Sequence, residues 1–287
     1  MKNWRKHLPL FFLALLLAVD IFAWYVLVNE DRRGLLTVSF LDVGQGDAIF
    51  IEAPNGNQLL LDGGPDASVL RELGKKMPFY DRSIDVLAVS HSDQDHIAGL
   101  PDVLARFSVA LVIEGGTMSS TSAYEALEHA RADEGSRFVL ARAGDRIVLD
   151  EERGVVLSVL FPDRDASQFE TNTGSIVAEL VYGDTCFLLT GDSPTAIEEY
   201  LVELYNDALE CDVLKAGHHG SRTSSSPEFV KAVSPTYAVI SAGKENRYGH
   251  PHKEVLDILN AAGVKVLRTD EHGVVTFVSD GKDIMLR

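Results

Sequence analysis

Beyond residue 34 the chain alternates short apolar runs with amphipathic stretches. LLTVSFLD, DAIFIEA and NQLLLD, within residues 35–62, are rich in β-formers and separated by Gly-Gln-Gly and Pro-Asn-Gly turns, the pattern of an antiparallel meander. A helix is predicted over 67–77 and a buried strand over 85–90, followed by helix 96–106, strand 109–113 and helix 121–132. The middle returns to strands in SRFVLA, DRIVLD, VVLSVLFP, SIVAELVYG and TCFLLTG. After it come helix 193–206, strand 211–216, helix 227–233, strand 236–241 and helix 251–261. Short strands at 264–268, 273–278 and 282–286 close the chain. With no composition break and no internal repeat, this order implies one α/β domain over 34–287, two central sheets with helices outside.

The N-terminus follows a different rule. Leu8 to Val28 reads LPLFFLALLLAVDIFAWYVLV, with Asp20 as its one charge, and is long enough to cross a bilayer as a helix. Lys2, Arg5 and Lys6 precede it; Glu30, Asp31, Arg32 and Arg33 follow. This bias predicts a cytoplasmic stub and single-pass anchor over 1–33, with the domain extracytoplasmic at the cell membrane, although Arg32 and Arg33 pull the other way. Trp24 and Tyr25 suit the far interface. A cleaved signal peptide is the alternative, but the run exceeds a usual apolar region and lacks a clear small-x-small site.

Composition narrows the partners. The chain is 46% hydrophobic and 24% charged, an ordinary globular balance, yet 43 acids against 26 bases give a net charge of −17. That excludes broad electrostatic gripping of nucleic acid, which needs a basic face. A local site containing metal can still hold a phosphate. Cys186 lies in an apolar run and reads as core; with Cys211 it forms no metal-spaced pair, and a disulfide between them stays open.

The strongest chemical signal is His91-Ser92-Asp93-Gln94-Asp95-His96, directly after the strand DVLAVS. Four potential ligands within six residues converge only on a tight loop at a strand's end, and divalent metals need such convergence of imidazole and carboxylate. A solvated helix-capping turn accounts for one Asp but not for two His and two Asp. His7, His129 and His272 have no partners and read as surface, and His252 as an exposed helix-start residue.

These residues carry a resemblance. HxDxDH followed by Ile97-Ala98-Gly99-Leu100 resembles the signature loop of the metallo-β-lactamase superfamily, usually HxHxDH. Leu60-Leu61-Asp62-Gly63-Gly64, Leu189-Thr190-Gly191-Asp192 and Gly217-His218-His219-Gly220-Ser221 follow in the family's order at strand ends. A narrower resemblance, to the hydrolase domain of ComEC-type competence (DNA-uptake) proteins, rests on 41–64, 188–192, 214–229 and Asn246–Pro251. It implies a four-layer αββα sandwich, here preceded by one transmembrane helix, and a hydrolase with two divalent metal ions. By resemblance, His91, Asp93 and Asp192 hold one metal; Asp95, His96, Asp192 and a late histidine hold the other. His218 is preferred to His219 for that place because it ends the strand, and His250 is the rival; each of the three is also a candidate general acid. Asp95 is the candidate to orient the attacking water, and Asp62 supports the loop from behind. Asp93 stands where many relatives have His, which shifts preference from Zn²⁺ toward Mn²⁺ or a mixed pair. Thr171–Ser175 occupies the place of the usual middle histidine, and Asn172 there is a candidate for weak coordination or substrate binding.

Gln45, Lys215 and Ser221 are further substrate-binding candidates, with Asp47 lining the site. The hydroxyl and N–H donors of 224–227 suit either an anion or a plain helix cap. Three functions fit. The first is a membrane-anchored phosphodiesterase or nuclease linked to DNA uptake, with DNA as substrate rather than stable partner. The second is hydrolysis of a small ester, lactone or β-lactam. The third is a catalytically quiet module that binds a separate channel protein.

Overall fold

The computed structural model describes residues 4–30 and 34–287. Helix α1 (Trp4–Glu30) holds a segment, His7–Tyr25, long and apolar enough to cross a membrane, with none of it buried inside the protein. Of the residues flanking the span in sequence, Lys2, Asp31, Arg32 and Arg33 lie outside the described residues.

The domain is built on two sheets. The first contains β1 (Leu36–Phe40), β2 (Ile49–Glu52), β3 (Gln58–Leu61), β4 (Ser83–Val89), β5 (Ser108–Glu114) and β6 (Arg137–Leu140), with the last two strands, β14 (Val275–Ser279) and β15 (Ile284–Leu286), added beside β1. The second contains β7 (Arg146–Asp150), β8 (Val155–Phe161), β9 (Val177–Tyr182), β10 (Thr185–Leu189), β11 (Val213–Lys215), β12 (Tyr237–Ile240) and β13 (Lys265–Arg268), in order 13-12-11-10-9-8-7. Pairing is antiparallel from β1 to β3 and from β7 to β10. It becomes parallel from β3 to β6 and from β10 to β13.

That switch follows from the connections. Turns or loops without a long helix join the antiparallel strands, whereas α2 (Ser68–Lys76), α5 (Ser122–Glu134), α6 (Thr195–Tyr205), α7 (Pro227–Val233) and α8 (Lys253–Ala261) cross over between parallel ones. The predicted helix over 96–106 is two short pieces, α3 (Gln94–Ile97) and α4 (Leu100–Leu104). Pro101 lacks the N–H that would bond the Ile97 carbonyl, so the helix restarts there. One turn, α9 (Thr269–His272), precedes β14.

Side-chain alternation along each strand divides the interior into three cores. Leu59 and Leu61 face the second sheet, meeting Leu157, Leu180 and Phe187, while Leu60 between them faces α2 and α4 through Val69, Leu73 and Val103. On the far side Leu188, Leu214 and Ile240 pack beneath Leu201, Phe229 and Leu259 of α6, α7 and α8. The layering is αββα. Cys186 and Cys211, both buried, are joined in a disulfide with Cα atoms 4.8 Å apart, which resolves the pairing left open by the sequence.

Candidate metal centre

Both sheets present the carboxyl ends of their parallel strands at the same edge of the sandwich, where ligands of open α/β sheets collect. Asp62 follows β3, His91 follows β4, Asp192 follows β10 and His219 follows β11. The backbone there is forced into unusual shapes. His218 (φ 48°, ψ 48°) and His219 (φ 54°, ψ 26°) are both left-handed, a conformation costing L-residues roughly 1–2 kcal/mol each. Gly46, at φ 145°, passes so near the Asp95 carbonyl that any side chain would collide with it; this close approach delivers Asp47 beneath the cluster.

Asp62 organises the loop after β4. One of its oxygens accepts the Ser90 N–H (2.8 Å); the other accepts the Ser90 hydroxyl (2.6 Å) and His96 Nδ1 (2.8 Å). With that hydroxyl hydrogen given to Asp62, His91 Nδ1 is the donor toward Ser90 Oγ at 2.9 Å. His219 Nδ1 donates to the Ser241 carbonyl at 3.0 Å. In the neutral form each of the three imidazoles would therefore carry its lone pair on Nε2, and all three Nε2 atoms are buried without a hydrogen-bond partner among the described residues. Imidazoles fixed through one nitrogen, with the other bare and buried, are the arrangement of metal-ligating histidines.

Their surroundings are acidic. Asp192 Oδ2 lies 3.3 Å from His96 Nε2, 3.4 Å from His219 Nε2 and 3.7 Å from His218 Nε2. Asp95 Oδ2 approaches His219 Nε2 to 3.4 Å, and Asp93 Oδ2 stands 3.7 Å from His91 Nε2. One ligand atom from each of Asp47, His96, Asp192 and His219 falls within a 4.8 Å set, and the four side chains are buried. Burial alone would hold His96 and His219 neutral, but Asp192 outweighs it, joined by Asp62 for His96 and Asp47 for His219, and raises both well above the usual imidazole range. Burial would raise Asp95, yet His219 and His96 bring it down to about 2. The donor set, imidazole nitrogen with carboxylate oxygen around shared unpartnered atoms, fits a divalent cation.

The remaining candidates separate. His218 sits at the rim, its side chain 27% exposed and Nδ1 3.0 Å from Thr223 Oγ1, so His219 and not His218 enters the tight cluster. His250 lies beside both, with ring centroids 5.6 Å from His218 and 6.3 Å from His219. Asn172 Oδ1 is buried and unpartnered among the described residues. Lys215 is fully enclosed rather than open to a substrate. Its ammonium bonds Asp47, the Gly191 carbonyl (2.7 Å) and Asp192 Oδ1 (3.4 Å), where it offsets part of the carboxylate charge. Ser221 Oγ accepts from the Thr223 hydroxyl at 3.0 Å and points along its own turn. The serines before α7 form a cap: Ser226 accepts Phe229 N–H, and the N–H groups of Ser225 and Ser226 bond the buried Glu198 carboxylate at 2.5 and 2.9 Å. Gln45 accepts the Gly243 N–H at 3.1 Å and lines a cavity of about 370 Å³ beside Asp95, together with Gln94, Asn246, Arg247 and Tyr248. The sequence offered one clue to Asp47, the Gly-Gln-Gly turn before it, and none to the Ser241 carbonyl, which any residue supplies.

The chain is similar to known proteins. The sequence profile of the metallo-beta-lactamase superfamily matches residues 41–244. ComE operon protein 3 of Bacillus subtilis is 35% identical over 258 residues, covering 84% of this chain and 32% of that protein. Competence protein ComA of Neisseria gonorrhoeae is 35% identical over 242 residues, with the same two shares. The chain thus spans about a third of the length of these curated relatives. Among solved structures, the metallo-beta-lactamase fold protein YhfI of Bacillus subtilis superposes with a TM-score of 0.56 at 10% identity, over 84% of this chain and 98% of that one. Igni18, a metallo hydrolase of Ignicoccus hospitalis, gives 0.55 at 17% identity over the same shares. Profile, relatives and fold agree: the chain is a member of the metallo-β-lactamase superfamily, with similarity to ComEC-type competence proteins.

Proposed function

We propose that the chain is a membrane-anchored, metal-dependent phosphodiesterase that hydrolyses DNA, acting outside the cytoplasmic membrane in connection with DNA uptake. The observation that carries the hydrolytic reading is the trio of buried, unpartnered Nε2 atoms of His91, His96 and His219, the last two within 3.4 Å of the Asp192 carboxylate. His91, Asp93 and Asp192 would hold one divalent ion; Asp95, His96, Asp192 and His219 the other. Bound there, such ions supply a water of lowered pKa and Lewis acidity toward a phosphoryl oxygen.

The chain's own groups do the rest. Asp95 keeps about a third of its side chain exposed at the mouth, ionised, and positioned to orient the attacking water. His218 and His250, both on the rim, are placed to protonate a departing alkoxide. Burial first, then histidine neighbours, lower His250 to about 4; burial also lowers His218. Arg247 lies 4.8 Å over the Tyr248 ring at the cavity beside Asp95, offering a cation and an aromatic face to a nucleotide. The net charge of −17 argues against a long binding track and for engagement of a single strand end or a few nucleotides. The Cys186–Cys211 disulfide supports an oxidising, extracytoplasmic setting, and the names of the competence relatives support the link to DNA uptake.

The test is turnover by the detergent-purified full chain with Mn²⁺ or Zn²⁺. Bis-p-nitrophenyl phosphate and an oligonucleotide are hydrolysed, nitrocefin is not, and Asp95→Ala lowers the phosphodiester rate about 10²-fold or more. Hydrolysis of nitrocefin alone would assign the site to acyl substrates. No turnover with either metal would leave a binding module for a channel partner.

A further inference from the structure

The two sheets have distinct ends, and the tether enters at only one of them. β1 begins at Leu36, opposite Ser279; Thr37 pairs with Glu52, Glu52 with Gln58, and Leu59 with Val86, three residues into β4. The start of β1 and the start of β4 therefore share one edge. The metal centre occupies the other, beyond the end of β4, roughly 20 Å away at 3.3 Å per strand residue. Only three positions separate Glu30, the end of α1, from Gly34, so the tether spans at most roughly 14 Å. Gly34 is itself fixed, its carbonyl accepting the Tyr182 hydroxyl at 2.8 Å.

At that same edge the segment between α2 and β4, residues 77–82, meets the span. The Tyr80 ring stands 6.2 Å, edge-on, from the Phe22 ring of α1 and 5.5 Å from Phe79. Phe79 is 68% exposed. Phe22 lies one turn before the end of the apolar segment, level with Trp24 and Tyr25, where aromatic side chains settle between acyl chains and headgroups. Exposed Arg82 and Arg106 flank the segment on a chain that is otherwise strongly acidic, while Lys75 is held by Glu72. Glu72 is ion-paired with Lys75 and Arg71, Asp81 accepts from Gln58 and Ser83, and Asp85 accepts the Gln58 N–H.

We infer that residues 77–82 form a foot that rests in the lipid interface, with Phe79 inserted at the headgroup–acyl boundary and Arg82 and Arg106 against anionic headgroups. The domain then stands upright, its metal centre facing bulk water and not the bilayer. Substrate reaches it from solution or from a neighbouring protein, never laterally from lipid. The inference rests on the membrane-anchor reading of α1.

The test uses the full chain in vesicles of phosphatidylcholine and phosphatidylglycerol, carrying one environment-sensitive thiol probe at Phe79→Cys, Leu16→Cys or Met118→Cys. The paired native cysteines leave the introduced thiol as the reactive one. Met118 is 62% exposed in the loop after β5, at the metal-centre edge. The expected result is blue-shifted emission at 79, quenched by headgroup-proximal spin-labelled lipid at least twofold more than at 118, with 16 quenched by deep labels. Water-like emission at 79 with 16 still quenched overturns the foot and leaves the anchor. Blue-shifted but unquenched emission at 79 assigns Phe79 to a protein contact and also overturns it. Water-like emission at 16 removes the anchor and the foot together.

Discussion

At the residue scale the site depends on hydrogen bonds that point three imidazoles the same way. Asp62 is the hub, since it binds Ser90 twice and His96 once. Asp62→Ala frees His96 to rotate and take the other tautomer. Metal affinity should fall about 10–100-fold in a calorimetric titration, with the fold retained. Protons compete for the same nitrogens. His96 and His219 have raised pKa values in the metal-free protein, so each holds a proton below its folded pKa that metal must displace. Affinity for Zn²⁺ or Mn²⁺ should therefore strengthen as pH rises from about 6 to 8, with protons released to the buffer; an affinity flat across that range would contradict the assignment. The HxDxDH loop and Asp192 were legible from sequence because each follows a short continuous apolar run, so strand termination and ligand chemistry coincide. The choice between His218 and His219 was not legible. Alternation along β11 stops before them, and two successive left-handed residues swing His219 inward and His218 to the rim.

Elements carry the balance between burial and charge. Glu114 ends β5 with Oε1 buried and unpartnered among the described residues, and Arg131 comes no nearer than 3.9 Å. Burial first, then repulsion from Glu128, push its carboxyl up to about 7. Its folded pKa lies above the unfolded value, so the folded state holds the extra proton between about pH 4.5 and 7, and stability declines as pH rises through that window. Glu114→Gln should raise the unfolding free energy at pH 8 on the order of 1–3 kcal/mol and change it little at pH 5, read by thermal denaturation at the two pH values. Strand and helix order was readable from periodicity, as in Leu59-Leu60-Leu61, whose odd and even members feed different cores. Two features were hidden. The pairing of β14 with β1 joins residues more than 230 positions apart, and no local pattern encodes it. Lys215 reads as an accessible cation beside the histidines; its enclosure depends on Asp47, brought in from the other sheet.

For the whole molecule, fold and anchor are separate statements written in different chemistry. The αββα layering follows from three apolar cores, whereas the span follows from apolar length alone. Orientation joins them. If the domain lies outside the cytoplasm, protein taken directly from membranes should show no reactive thiol until reduced, since Cys186 and Cys211 are paired; free thiols in a gel-shift assay would argue for a reducing compartment. The central claim, that residues scattered from 91 to 219 meet around divalent cations, is tested most directly by metal analysis of the full-length protein purified without added metal and then equilibrated with Zn²⁺ or Mn²⁺. The account predicts about two tightly held ions per chain in the native protein and a clear loss in Asp192→Ala. A native protein that retains no metal, or an Asp192→Ala variant that retains as much, would contradict it.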